Sequence, residues 1–396
     1  MDSIMLQANQ DCTKGGMVFE VGSLYDHLKR VPDPRKPKGV RYCLATILLL
    51  ILMAKMGGED NPTSIFEWVK HRQESLIKML KLTREQVPHH CTYRRILQVM
   101  DAHFFEKVMS EYQCRRRPNE REIIISIDGK TMKGTIIRNK NRGVHLLAAY
   151  LPGSGLVLMQ IAVENKENEI TVAPKLLQSL DLKGSIVIGD AMHAQRNISA
   201  QIVEAGGHFI WTIKGNQVKT EWAIQKLFMQ AVVNLKNGAP LPRDIQMAES
   251  KTTKGHGRIE KRRILVSQAL NDYLDWPHVA QVFRLERLVW HDHGKRSTRQ
   301  VIFGLTSLTP QQASPSHLLN CIRNYWGIEN GLHYRRDVTL REDATRATIG
   351  NTGHNLAVIN NLVIAICLSN GHSNLARARR LFDAKPQLAL EAILHA

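Results

Sequence analysis

Apolar residues recur at helical spacing from Val21 to about Arg117 and at strand spacing beyond it, so the chain changes character at a charged, proline-containing break. Before the break, VGSLYDHLKRV, the apolar run after Tyr42, SIFEWVKHRQESLIKMLKL and YRRILQVMDAHFFEKVMSEY each predict helix, and residues 21–118 are expected to form an all-helical N-terminal domain. PDPRKPKG, residues 32–39, reads as a basic loop punctuated by proline. Residues 1–20 are polar and unpatterned and are expected to form a disordered tail. CRRRPNER marks the boundary, because clustered charge with proline interrupts both periodicities.

After the break, EIIISID, GVHLLAAYL and GLVLMQIAVE predict a three-stranded meander. Helix ITVAPKLLQSLDL, strand GSIVIGD, helix AQRNISAQIVEAG and strand HFIWTIKG follow, and this alternation implies parallel additions to the same sheet. The expected class is therefore α/β. From about Asn216 to Gly304 the alternation gives way to short strand-like runs, RRILVSQAL, VAQVFRLERLVW and TRQVIFGLTSL, which suit a β-rich insertion. Helical spacing returns at SPSHLLNCIRNYWGIENGLHY, with Ser314 as N-cap and Pro315 as first helical residue, and continues in HNLAVINNLVIAICLS and NLARARRLFD. The core is thus expected in two parts, 119–215 and 305–396, around an inserted segment 216–304.

Charge adds a partner to this picture. The 396 residues carry 54 Lys+Arg against 36 Asp+Glu, a formal +18, which favours a polyanion and makes nucleic acid the first candidate. Residues 251–300, with 11 Lys/Arg against 5 Asp/Glu, place part of that excess in the inserted segment. The six cysteines form no C-x-x-C pair, so a zinc ribbon or a disulfide framework is not expected and a reducing compartment is. The apolar run near Cys43 extends about 11 residues, short of the ~20 that a membrane span needs, and is read as a buried helix. The N-terminus lacks the charged and apolar regions of a secretory signal, so a cytoplasmic location is expected.

Three carboxylates stand in unusual places. Asp128 ends the first strand of the sheet, where a turn cap would serve as well as a ligand. Asp190 ends GSIVIGD, and ligand sites in α/β sheets lie at such carboxyl ends. If 315–334 is one helix, Glu329 falls on the face of Leu318, Ile322, Tyr325 and Leu332, where a carboxylate needs a metal or an arginine as partner. Together the three suit a hard divalent cation bound through oxygen, Mg²⁺ with Mn²⁺ as substitute. A pair of such ions about 3.5 to 4 Å apart stabilises attacking and leaving oxygens at a phosphodiester.

The motifs SIDGKTMKG, ENKENEI, VIGDAMHAQ, TIKGNQ, YWGIENGLHYRRDVTLREDATR and GNTGHNLAVINNL, with DPRKPKGVRYCLATILLLILMAKMGG, SIFEWV and YRRIL before them, resemble the DDE transposases of bacterial insertion sequences, in particular the group containing the H-repeat-associated proteins. The likeness runs from about Val21 to Leu368. It implies a ribonuclease H-like core with Asp128, Asp190 and Glu329 as the metal-holding triad, a β-strand insertion between the second and third acids, and metal-dependent cleavage and strand transfer at terminal inverted repeats. It also implies double-stranded DNA as partner, an oligomer, expected to be a dimer on paired ends, and association with the nucleoid. A catalytically silent DNA-binding descendant is the alternative. Related enzymes carry Tyr and Arg seven and four residues before the Glu and Lys seven after it; here Ile322, Tyr325 and Arg336 hold those places, with Arg336 as a replacement phosphate contact.

Lys130 and Lys133 after the first Asp, and Lys214 and Asn216 after the last parallel strand, are expected to hold DNA phosphates. His193 and His333 are candidate supports for a phosphate or water, with a structural role equally open. Glu169, Asp337, Glu342 and Asp343 are rival acids, the last three expected in salt bridges. In CTYRRILQVM, Arg94 and Arg95 fit either a DNA recognition helix or a solvated face. HHC (89–91) and HDH (291–293) lack a second ligand pair at zinc spacing.

Overall fold

The computed structural model describes residues 19–38, 40–118, 120, 122–137, 143–164, 167–255, 257–291 and 296–395. Almost all of the tail expected over 1–20, and part of HDH, lie outside the described residues.

Six helices come first: α1 (Leu24–Lys29), α2 (Leu44–Met56), α3 (Pro62–His71), α4 (Gln73–Leu80), α5 (His90–Val99) and α6 (Ala102–Arg115). Then follow β1 (Ile123–Thr131), β2 (His145–Leu151), β3 (Leu156–Ala162), α7 (Glu169–Gln178), β4 (Ser185–Gly189), α8 (Arg196–Glu204) and β5 (His208–Ile213). The next segment holds α9 (Val218–Lys236), β6 (Ile245–Glu249), β7 (Thr253–Gly255), β8 (Arg258–Ser267), β9 (Gln281–His291) and β10 (Arg296–Thr306). The chain closes with α10 (Pro315–Tyr325), two π-helical turns (Glu329–His333 and Arg335–Thr339), α11 (Thr352–Ser369), α12 (Leu375–Ala384) and α13 (Pro386–Leu394). One long helical pattern breaks where the sequence supplies a cap. Asp101 accepts from the backbone N–H groups of His103 and Phe104, starting α6 afresh two residues after α5 ends.

The chain divides into two compact units, each with its own core. One comprises residues 1–119, 129–164 and 329–396. There β2 and β3 pair antiparallel from Leu146↔Ala162 to Leu151↔Leu156, with a bulge between Ala149 and Tyr150. The N-terminal helices share this unit with β2, β3 and α11–α13 instead of forming a body of their own. Buried amides tie them in: Gln113 Oε1 of α6 accepts from Val157 N at 2.9 Å, and Gln160 of β3 donates to Glu106 at 2.6 Å while accepting from Asn361 of α11 at 2.9 Å. All 13 residues of α2 are buried, which accounts for its continuous apolar run. Among the described residues α11 alone has the length and composition to cross a membrane, and 89 % of that stretch is buried in the protein.

The second unit comprises 120–128 and 165–328 and is built on a mixed sheet. β1, β4 and β5 run parallel, paired from Ile123↔Ser185 to Ile127↔Gly189 and from Ile186↔His208 to Gly189↔Trp211. β10 then pairs antiparallel with β5, and β9, β8 and β6 continue outward antiparallel. α10 covers this sheet, setting Leu318 and Ile322 against Ile186, Ile188, Ile210 and Phe283. The segment 216–304, expected to be β-rich, opens with the 19-residue α9 before its strands, and its last strand joins the parallel strands directly through Phe303↔Ile213.

Candidate active site

Two of the three acids belong to neighbouring parallel strands of the second unit's sheet. Ile127 and Gly189 are the last paired residues of β1 and β4, so Asp128 and Asp190 come next on neighbouring parallel strands, about 5 Å apart along the hydrogen-bonding direction. β1 itself continues through Asp128 to Thr131, so the strand end expected at Asp128 lies three residues further on, while Asp190 directly follows β4. Gly189 is required for the approach of these strands. A Cβ there would lie 2.9 Å from the Trp211 ring and 3.0 Å from Ile127 Cγ1, so any larger residue would push the strand ends apart.

The loop carrying Asp190 is held from several sides. Asp190 caps the short 3₁₀ turn Ala191–His193, accepting from Ala191 N. Asn216 donates to Ala191 O at 2.6 Å and Gln217 to Ala194 O at 3.2 Å, so the segment after β5 pins the loop after β4. His193 is fully buried with Nε2 3.2 Å from Glu169 Oε2 on α7. The histidine and the rival acid thus form a supporting pair beneath the loop. Lys214 Nζ lies 3.1 Å from Asp190 Oδ1, with both side chains well exposed. Asn216 is engaged with backbone, whereas Lys214 flanks the carboxylate itself.

Glu329 is the first residue of the other unit's last segment. It does not continue α10, which ends at Tyr325; it opens a π-helical turn and is exposed. Of the expected stripe, Leu318, Ile322 and Leu332 are buried and Tyr325 packs on the core of the second unit, whereas Glu329 opens the wider π turn and faces solvent. Such turns recur at functional sites. Gly331 lets this one sit close to β2, since a Cβ there would lie 2.6 Å from Tyr150 Oη. Arg335 Nη1 donates to Gly331 O at 2.9 Å, and His333 is buried at the end of the turn.

Two expected phosphate contacts are engaged elsewhere. Arg336 is fully buried and donates through Nε to both oxygens of Glu342 at 2.8 and 3.0 Å, with Asn360 also on Glu342 at 2.9 Å. A guanidinium so enclosed is a structural ion pair and not a surface contact. Lys130, its side chain 9 % exposed, pairs with Asp337 at 2.6 Å and lies 3.8 Å from Asp343. Lys133 remains 76 % exposed beside Asp343 at 3.7 Å. The salt bridges expected of Asp337 and Asp343 therefore form with lysine, and only Glu342 takes an arginine. The sequence offered no signal for the lysine pairing, because its partners stand more than 200 residues apart. Arg94 and Arg95 are both exposed on α5.

Residues 119–367 match the Transposase DDE domain and residues 25–113 the DDE_Tnp_1-associated domain. "Putative protein YbfL" of Escherichia coli K12 is 29 % identical over 373 residues, covering 91 % of this chain and 94 % of its own. "H repeat-associated putative transposase YhhI" of the same strain is 28 % identical over 372 residues with the same coverage, and "Putative transposase YncI" of E. coli O157:H7 is 28 % identical over 352, covering 87 % of each chain. A cryo-EM structure of a piggyBac transposase synaptic complex with hairpin DNA shares 10 % identity at a TM-score of 0.43, over 94 % of this chain and 77 % of that one. With the DDE domain matched across more than half its length, the chain belongs to the DDE transposases.

Proposed function

We propose that this transposase binds the terminal inverted repeats of its own insertion sequence and catalyses DNA strand cleavage and strand transfer, with Asp128, Asp190 and Glu329 as the metal-holding acids of a ribonuclease H-like core. The observation that carries this reading is the pairing of Ile127 with Gly189, after which Asp128 of β1 and Asp190, the residue following β4, come next on neighbouring parallel strands.

The donors fit a hard divalent cation, for which carboxylate oxygens are the natural ligands. The ammonium of Lys214, 3.1 Å from Asp190 Oδ1, marks the same place as one that attracts positive charge. Asp128, Asp190 and Glu329 would hold Mg²⁺, or Mn²⁺ in its place. When bound, such ions activate water or a 3′-hydroxyl and stabilise the charge that develops at the phosphodiester.

The chain's own residues do the rest. Asn216, Gln217 and the His193–Glu169 pair hold the Asp190 loop, so the carboxylate meets its ion already positioned. Lys214 and Lys133 are the exposed cations beside the acids' own segments and would take DNA phosphates. A dimer would bring two element ends together.

The experiment is incubation of the purified protein with Mg²⁺ and duplex DNA bearing the repeats that flank its reading frame, with products resolved on denaturing gels. Nicked ends followed by joined products support the reading. Tight binding of the same duplex with no cutting in Mg²⁺ or Mn²⁺ would favour the alternative of a silent DNA-binding descendant.

A further inference from the structure

A groove of about 470 Å³ lies wholly within the first unit, between α5, the start of α3 and the segment that follows the second π-helical turn. Arg94 of α5 lines it on one side, and Arg341 and Arg346 line it on the other. All three are exposed. Asp60 is the one acidic residue in the lining, and its Oδ1 is already bound by Arg379 at 2.7 Å and Lys55 at 3.4 Å. Three guanidiniums around one groove whose acid is already paired with two other cations repel one another, a cost that an anion would remove.

The wall opposite α5 is built to stay in place. Asn351 donates from its backbone to Gln98 O at 3.0 Å and from its side chain to Met100 O at 2.9 Å, and Ala347 N donates to Gly134 O at 3.1 Å. Arg341 adopts φ +50°, a left-handed conformation uncommon outside glycine and often found at functional positions. Because this segment is fastened along the Gln98 side of α5, the helix face carrying Arg94 is one wall of a groove. It does not project freely, as a helix entering the major groove must.

We infer that the groove holds the sugar–phosphate backbone of DNA, at a site separate from the three acids, and that Arg94, Arg341 and Arg346 are sequence-independent phosphate clamps. The inference rests on the reading of the chain as a DNA transposase and names a contact that this reading leaves open. Guanidinium forks match phosphate oxygens, and contacts to the backbone fix register without reading bases.

The test is fluorescence anisotropy of the full chain with two labelled 20-base-pair duplexes, one from the element's end and one scrambled, over a range of NaCl without Mg²⁺. Arg94→Ala, Arg346→Ala and the double variant are compared with Lys107→Ala, an exposed cation on α6 away from the groove, after circular dichroism verifies folding. Each groove substitution is expected to weaken both duplexes by the same factor and to reduce the steepness of log K against log salt by about 0.9 per arginine removed. Lys107→Ala is expected to change neither. Three results would each overturn the inference: unchanged affinity and slope in the double variant, weakening confined to the end duplex, or displacement by dCMP as effective as by duplex at equal phosphate concentration. Because no cutting occurs without the ion, these outcomes are independent of whether the carboxylates are catalytic.

Discussion

Lys214 Nζ lies 3.1 Å from Asp190 Oδ1, so the residue just past β5 sets a positive charge against the acid just past β4. The two strands are parallel neighbours, and the contact follows from Gly189↔Trp211 being their last pair. If Asp190 is a metal ligand, the ammonium competes with the ion for one oxygen. The pair is 61 % and 44 % exposed and therefore worth only about 0.2–1 kcal/mol. Lys214→Met should accordingly raise Mn²⁺ affinity of the DNA-free protein by no more than about fivefold in calorimetric titration. Weaker Mn²⁺ binding in the variant would contradict the competition.

Arg336 and Glu342 form a fully buried pair in the first unit. Removing one partner leaves a buried charge without compensation, so Arg336→Ala should cost about 3–5 kcal/mol in urea unfolding. Replacing both, as Arg336→Met with Glu342→Leu, should cost less than Arg336→Ala alone. DNA affinity per folded molecule should be unchanged in either, which separates this assignment from a phosphate contact.

Gly331 and Tyr150 approach too closely for a methyl group between them, the added Cβ falling 2.6 Å from the Tyr150 hydroxyl. Gly331→Ala is expected to lower stability by about 1–3 kcal/mol through overpacking. Adding Tyr150→Phe removes the obstructing oxygen and should recover part of that loss, giving a double-mutant coupling above about 0.5 kcal/mol in thermal unfolding. Additive effects would show that the π turn does not depend on this contact.

Lys55 in α2 is 1 % exposed, and burial pushes its ammonium down to about 8 despite the pull of Asp60 3.4 Å away. Since the folded value lies below the ordinary 10.5, the charged lysine costs stability below pH 8, and the cost fades as pH rises from about 8 to about 10.5. Against Lys55→Met, the wild type should gain up to about 3 kcal/mol of relative stability between pH 7.5 and 10.5. A pH-independent difference between the two would refute the shift.

Legibility followed local pattern. β4 and β5 were plain in the sequence because GSIVIG and HFIWTI are short apolar runs bounded by turn residues, and β1 because it opens on a run of isoleucines. Asp190 was readable for the same reason, as the acid just past such a run, whereas the strand end read at Asp128 lies at Thr131, because polar Gly-Lys-Thr hides the continuation of β1. α9 was not, because Val218, Trp222, Met229 and Val233 are exposed and blur the helical contrast between its faces. Glu329 was placed on a buried stripe by extending α10 through 334; the π-helical turn changes the residues per turn, which no apolar periodicity announces. The engagement of Lys130 and Arg336 lies in tertiary contacts, where sequence shows only that acids and bases are plentiful.

The most direct test of the three-carboxylate account exchanges oxygen for sulfur at one ligand. Asp190→Cys is compared with Asp190→Ala in cleavage of end-containing duplex, first with Mg²⁺ and then with the more thiophilic Mn²⁺. The account predicts that both variants fall at least about a hundredfold below wild type in Mg²⁺ and that only Asp190→Cys regains cutting in Mn²⁺. Cutting by Asp190→Ala at the wild-type rate in Mg²⁺ would contradict it.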